Sequence, residues 1–245
     1  MSETRGPDIS VVSPAYNEAE CIVGVVSDWI TTLDGLGRPW EIIVADDGSS
    51  DGTAELIEGL SHPKVQVVRL GGNSGYGPAL SAAMARATGR YVVTIDSDGQ
   101  FKLSDLPALL GKLEAEQLDL VTGWRREKQD SRIKVAGDRL LNLIVRLAFG
   151  LKLRDTNCAL KVMTLTASRG LRLEAVGFPT PTEMVARAAA AGLKVGEAPV
   201  GHHPRTAGSS KLHPLRSGVQ FILFLMYLRF QSLLKGAGII RRERE

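Results

Sequence analysis

The 245-residue sequence contains only two cysteines, Cys21 and Cys158, far apart and in no metal-ligand spacing. That pattern offers no zinc site and reads as a free-thiol protein of the cytosol. The net charge is only +3, too little for the basic field that general nucleic-acid binding requires. Long hydrophobic runs are missing as well. The longest unbroken one, Phe221 to Leu228, falls well short of the roughly 20 residues of a spanning helix. The first residues, MSETRGPDIS, lack the charged-then-apolar pattern of a secretory leader. Internal repeats and low-complexity segments are absent. So are two phosphate-binding fingerprints. The first strand-to-helix turn reads SPAYNEAE, the glycine loop from Gly71 to Gly77 does not complete G-x-G-x-x-G, and no G-x-x-x-x-G-K-[ST] occurs. Gly71, Gly72, Gly75 and Gly77 fit either a flexible turn before a helix, with Pro78 in its first turn, or a close approach of backbone to a ligand.

What is present is an ordinary globular composition, 44% apolar and 23% charged, long enough to bury a large core. Apolar β-branched runs at Ile9–Val12, Trp40–Ala45, Val65–Leu70, Tyr91–Ile95 and Leu118–Thr122 predict strands. Helical periodicity predicts helices over Glu18–Leu33, Thr53–Leu60, Ala79–Ala87 and Ser104–Gln117, with Asp51 as an N-cap. Strands alternating with helices imply βαβ units and a mostly parallel, doubly wound sheet.

In such sheets ligands bind outside the carboxyl ends of the strands. Asp46 and Asp47 end the second strand, and Asp96 and Asp98 end the fourth. Four carboxylates on one sheet edge would repel, and one or more would hold a proton above the usual range. A divalent cation removes that problem, and oxygen ligands at this spacing suit Mg²⁺ or Mn²⁺ shared with substrate phosphates. The plain alternative for an isolated Asp-x-Asp is a turn or a helix cap.

SPAYNEAE, VADDGSSDGT, NSGYGPAL and DSDGQ, in that order, resemble the motif series of family 2 glycosyltransferases of the GT-A type. GWRRE, GDRLLN, RDTNCALKVM, PTPTEM and EAPVGHHPRTAGSSKL then resemble the dolichol- and polyprenyl-phosphate mannosyltransferase branch, and the likeness runs over roughly residues 8 to 213. The resemblance implies a GT-A catalytic domain over residues 1–213: a Rossmann-like mixed, mostly parallel sheet with helices on both faces. It also implies a nucleotide-sugar donor, a Mg²⁺ or Mn²⁺ ion and a polyprenyl-phosphate acceptor. By the same resemblance Pro14, Tyr16 and Glu18 contact the nucleotide, and Asp46 or Asp47 reads its base. Asp96, on the nucleotide side, and Asp98 hold the metal, with Gln100 as an extra ligand. Arg125, Arg139, Arg205, Ser210 and Lys211 hold phosphate groups. Two departures stand out: the usual Asp-Ala-Asp is Asp96-Ser97-Asp98, and the usual Gln-His is Gln100-Phe101.

The chemistry agrees with this assignment. Cleaving a sugar–diphosphate bond requires neutralised charge on the leaving group, which a metal held at Asp98 supplies. A hydroxyl acceptor would need a general base. A phosphate monoester would not, because its second pKa is about 6. Such an enzyme needs cations, and Arg125, Arg139, Arg205 and Lys211 are the expected ones. Q-x-x-R-W, the signature of processive polysaccharide synthases, is absent. Glu183 either orients an arginine or a sugar hydroxyl, or is a first-turn glutamate favoured by its helix dipole. His202 and His203, adjacent on one strand, would face opposite ways and form no zinc site.

Residues 214–245 are strongly apolar but interrupted by Arg229 and Lys235. They predict amphipathic helices at the bilayer surface, with basic residues near headgroups. The alternative is packing on the protein's own core or in a homo-oligomer interface. The expectation is therefore a peripheral, inverting hexosyltransferase on the cytoplasmic face of the membrane, moving mannose from GDP-mannose to polyprenyl phosphate. The alternatives are a family 2 enzyme using UDP-glucose or another nucleotide sugar on a lipid phosphate or a glycan hydroxyl, and an inactive nucleotide-binding scaffold.

Overall fold

Short apolar strands bounded by turns build a seven-stranded sheet, seen in a computed structural model that describes residues 6–126, 142–177, 179–205 and 223–231. The elements in chain order are β1 (Ile9–Ala15), α1 (Ile22–Gly35), β2 (Trp40–Asp46), α2 (Thr53–Gly59), β3 (Val65–Arg69), α3 (Tyr76–Arg86) and β4 (Tyr91–Thr94). A 3₁₀ turn at Leu103–Asp105 leads into α4 (Leu106–Ala115) and β5 (Leu120–Arg125). Then come a helix over residues 142–149 (α5), β6 (Lys161–Thr164), α6 (Leu165–Gly170), α7 (Thr180–Ala190), β7 (Val195–Val200) and a helix over residues 223–231 (α8).

The spatial strand order is β3-β2-β1-β4-β6-β5-β7. All pairings are parallel except those of β6, which runs antiparallel to both β4 and β5. The period-two alternation of strands sorts their side chains onto two faces. Ile9, Val11, Ile42, Val44, Tyr91, Val93 and Val162 join one core, covered by Trp29 and Leu33 of α1 and Leu106 and Leu109 of α4. Val12, Ile43, Ala45, Val92 and Met163 join the other, covered by Leu80 and Met84 of α3, Val145 of α5, Val185 of α7 and Leu225 of α8. With both faces buried, β1 and β2 are buried at every position. This is why they read as continuous rather than alternating apolar runs. Each fully buried Val, Ile or Leu contributes about 1.5–3 kcal/mol relative to exposure. A carboxylate at Val93 would be unpaired between the layers and would undo the fold.

Local chemistry moves several expected boundaries. β1 continues through Ala15, beyond the expected Val12. α1 starts at Ile22 rather than Glu18, because the preceding turn is sewn to the β2–α2 loop: Glu18 N donates to Thr53 Oγ1 and Ala19 N to Asp51 Oδ2. Gly52, not Asp51, occupies the cap position of α2, although Asp51 Oδ1 accepts from the Thr53 N–H. α3 starts at Tyr76, three residues before the expected Ala79. His202 and His203 are not on a strand; β7 ends at Val200 and they lie in the loop beyond it. Both thiols are buried and unbridged. Burial pushes Cys158 up to about 12 and, with Glu18 beside it, Cys21 up to about 11, so neither is a reactive thiolate.

Candidate active site

The parallel register brings the carboxylates together. β1 pairs Ala15 with Asp46 on one side and Val12 with Thr94 on the other, so the ends of β1, β2 and β4 finish on one edge. Ser97 Oγ fixes the Asp-Ser-Asp turn there by donating to the Pro14 carbonyl, 3.0 Å away. Asn17 N donates to Ser49 Oγ, while Ser50 N donates to Asn17 Oδ1, so the loops after β1 and β2 share one hydrogen-bonded rim. Tyr16 and Glu18 sit half-buried on that rim.

The two aspartates after β2 differ. Asp47 uses both oxygens on backbone, accepting from Ser74 N and Gly75 N at 2.8 Å each. Asp46 accepts from Ser49 N through Oδ2, while its Oδ1 is buried with no hydrogen-bond partner. A buried acceptor without a partner costs about 1–3 kcal/mol, so a ligand donor at that point recovers stability.

After β4, Asp96 Oδ1 accepts from the Tyr76 hydroxyl at 2.8 Å. Asp98 Oδ1 accepts from Gln100 N at 3.0 Å, and Oδ2 accepts from Arg205 Nη2 at 2.8 Å. Burial, and then the neighbouring Asp98 carboxylate, push Asp96 up to about 7; Tyr76, Arg205 and Lys161 act in the opposite direction. Arg205 also approaches Glu18, 3.8 Å away. Its guanidinium thus stands where a cation is wanted between carboxylates from two loops. His203 N donates to the Gln100 carbonyl, and Gln100 Nε2 donates to the His203 carbonyl, which tie the loop carrying Arg205 to the Asp-Ser-Asp turn. Phe101 is buried in the core and packs on His202, with centroids 5.3 Å apart.

The residues present fit a divalent cation. Oxygens of Asp96, Asp98 and Gln100 would be the donors, and two carboxylates this close repel unless positive charge lies beside them. Among the described residues no set of three or more His, Cys, Asp or Glu converges. An ion here would complete its shell from Gln100, water and the donor diphosphate, as Mg²⁺ and Mn²⁺ commonly do.

Arg125 ends β5, two strands over from β4 on the same edge. Asp155 grips it: Nε donates to Oδ2 at 2.6 Å and Nη2 to Oδ1 at 3.1 Å, with the two side chains 11% and 2% exposed. Arg139, Ser210 and Lys211 lie outside the described residues. Glu183 is fully buried, with its carboxylate taken up inside the protein. Its Oε1 accepts from Glu174 N and Arg187 Nε, and its Oε2 from Ala175 N. It does orient an arginine, Arg187 of its own helix.

Three residues escaped the sequence reading. Asp155 lies inside RDTNCALKVM with no role assigned. Tyr76 lies inside NSGYGPAL, a stretch marked chiefly by its glycines. Lys161 is a lone charge opening an apolar strand, and it is wholly buried. Its ammonium donates to Thr122 Oγ1 at 3.0 Å and to the Cys158 carbonyl, and burial lowers it to about 8. A charged residue in a run that otherwise reads as core was the available signal.

A mixed, mostly parallel sheet with acidic strand ends opening on one edge and an Asp-x-Asp turn at its centre is a fold of the GT-A kind. The glycosyl transferase family 2 model matches residues 10–169, and the chain belongs to that family. It is 29% identical over 92% of its length to a dodecaprenyl-phosphate galacturonate synthase of Rhizobium johnstonii, of which it covers 68%. It is 34% identical over 63% of its length to an undecaprenyl-phosphate 4-deoxy-4-formamido-L-arabinose transferase of Pectobacterium carotovorum, of which it covers 48%. The chain thus spans about half to two thirds of these curated relatives. Among solved structures, glucosyl-3-phosphoglycerate synthase of Mycobacterium tuberculosis, in complex with Mn²⁺, uridine diphosphate and phosphoglyceric acid, superposes with a TM-score of 0.73. That match has 25% identity and covers 91% of this chain and 79% of the other.

Proposed function

We propose that this domain transfers a sugar from a nucleoside-diphosphate donor to a polyprenyl phosphate. The observation that carries the reading is the Asp96–Asp98 pair at the carboxyl edge of β4, with the Arg205 guanidinium 2.8 Å from Asp98. The donor would lie across the ends of β1, β2 and β4, over Pro14, Tyr16 and Glu18. Asp46 would read the base, because its unpartnered Oδ1 suits the imide N–H of uracil or guanine and Asp47 is committed to backbone. Asp96, Asp98 and Gln100 would hold a divalent cation, which as a Lewis acid would neutralise the leaving diphosphate.

The acceptor assignment follows from charge and from a missing base. Both curated relatives carry a polyprenyl phosphate in their names. An anionic phosphate acceptor needs cations and no base; Arg125, Arg139, Arg205 and Lys211 are the proposed cations, with the Ser210 hydroxyl as a further donor. The hydroxyl-acceptor alternative needs a carboxylate beside the acceptor. Glu183, its candidate, is buried and occupied by Arg187 and two backbone N–H groups. Mannose from GDP-mannose is the sugar the sequence motifs favour, and a uridine-diphosphate sugar is the alternative.

An exposed apolar surface that would suit a bilayer accompanies this reading. In α8, Leu225 and Leu228 are buried while Leu223, Met226 and Phe230 are 60% or more exposed; in α5, Leu147 is 78% exposed. None of the helices among the described residues is long and apolar enough to cross a membrane. The proposal is peripheral attachment on the cytoplasmic face through residues 214–245 beside the 1–213 catalytic domain.

The test is transfer with Mn²⁺ in detergent from a panel of GDP- and UDP-sugars to a short-chain polyprenyl phosphate and to the matching alcohol. The expected result is product with the phosphate alone, most rapidly from one donor. Equal glycosylation of the alcohol would overturn the acceptor assignment.

A further inference from the structure

We infer that Tyr76 is a positioning residue for the cation site, its hydroxyl fixing the plane of the Asp96 carboxylate, and this inference rests on the metal reading above. A carboxylate turns about its last side-chain bond unless one oxygen is held, and here Tyr76 Oη holds Oδ1 at 2.8 Å. Partners that orient metal ligands commonly govern affinity as strongly as some ligands do.

Tyr76 is itself seated from both sides. Before it, Ser74 N and Gly75 N donate to the Asp47 carboxylate. After it, Gly77 N donates to the Val176 carbonyl at 3.3 Å. The segment that carries Val176 is pinned in turn. Glu183 accepts from Glu174 N and Ala175 N, and Thr180 Oγ1 donates to the Ala175 and Gly177 carbonyls at 3.1 and 2.7 Å. The approach is so close that the residues flanking Tyr76 must be glycine. A Cβ on Gly75 would stand 2.4 Å from the Val176 carbonyl oxygen, and one on Gly77 would stand 1.7 Å from that of Ala175. The glycines of NSGYGPAL therefore serve contact between two protein segments, and Glu183 acts on the site through them. A tyrosine needed only to fill space would not require two glycines, two buried carboxylates and a hydroxyl aimed at a metal-holding aspartate.

The test is Tyr76→Phe, which keeps the ring and removes the donor. Mn²⁺ alone is titrated against the full-length protein, with free Mn²⁺ read by electron paramagnetic resonance, and thermal unfolding is followed in EDTA. The variant is expected to bind Mn²⁺ roughly 10- to 100-fold more weakly. Its thermal midpoint in EDTA should stay within about 4 °C of wild type. Turnover should be lost at low Mn²⁺ and restored by excess Mn²⁺, a rescue that a packing defect would not show. Unchanged Mn²⁺ affinity, or a larger fall in the midpoint, would overturn the positioning role while leaving the metal reading intact. Failure of the wild-type protein to bind Mn²⁺ both alone and with a nucleoside diphosphate present would remove the metal reading and this inference together.

Discussion

Replacing Asp155 by asparagine removes the charge that grips Arg125 and keeps nearly the same volume. In the native protein Asp155 accepts from Arg125 Nε and Nη2 and from Asn157 N, and it is 2% exposed. Breaking a buried ion pair by neutralising one partner costs about 3–5 kcal/mol, because the other charge stays desolvated. The lower end applies here, since Arg125 retains 11% exposure and asparagine still offers one acceptor oxygen. A loss of about 3 kcal/mol lowers the melting temperature of a chain this size by roughly 6–12 °C. The released guanidinium also loses its aim. If it contacts an acceptor phosphate, a charge-assisted bond of about 1.5–3 kcal/mol is weakened, and transfer slows by roughly tenfold to a hundredfold. The assay is thermal unfolding by circular dichroism beside transfer to polyprenyl phosphate, with Arg125→Lys for comparison. Lysine keeps the charge and cannot reproduce the two-pronged grip. A melting temperature within 1–2 °C of wild type, under about 1 kcal/mol, would show that Asp155 does not anchor Arg125.

Asp98→Ala should abolish Mn²⁺-dependent transfer with native circular dichroism retained, since a strand-end carboxylate is not core; near-normal turnover would refute the metal assignment. Asp46→Asn should weaken nucleoside-diphosphate binding by more than tenfold through the base, roughly the worth of one charged hydrogen bond, whereas Asp47→Asn should act mainly on stability by freeing the Ser74–Gly75 turn. Equal calorimetric losses with the two variants would remove that distinction. Burial, and then the Asp98 carboxylate, push the Asp96 carboxyl up to about 7 in the folded protein, so in EDTA the folded state holds an extra proton and stability falls as pH rises from the ordinary carboxylate range toward 7. Asp96→Asn should flatten the fall, and an unchanged slope in pH-dependent melting would contradict it. Met226→Asp with Phe230→Asp, both exposed, should reduce sedimentation with anionic liposomes while sparing donor binding. Equal sedimentation would end the membrane argument.

The parallel half of the fold was legible because β1 to β4 and their helices follow simple periodicities and each strand ends at a polar turn. The acidic edge was legible for the same reason, as Asp46 and Asp96 directly follow apolar runs. The last third was not assigned in detail. β6 is only four residues long, carries a buried lysine and pairs antiparallel to its neighbours, so neither length, composition nor direction marked it. Which of Asp46 and Asp47 is spare depends on Ser74 and Gly75, 27 residues downstream of Asp47 in the nearer case, and no local pattern records that. Glu183 offered a structural and an acceptor-side reading with equal claim, and only its hydrogen bonds to Glu174 and Ala175 separate them.

The reversed direction of β6 has a consequence for how such a site can change. β5 leaves the sheet at the acidic edge, and β6, running the other way beside it, enters from that same edge. The connection from β5 to β6 therefore leaves and returns at neighbouring strands, so its two ends are already fixed side by side. Lengthening a closed loop costs little, about 0.6 kcal/mol per doubling. Added length between the two strands is thus cheap only where it spares Val145, Leu151 and Leu153, which are buried against the sheet. The β1, β2 and β4 ends behave as a fixed socket, and the β5–β6 connection joins it with both ends anchored on neighbouring strands.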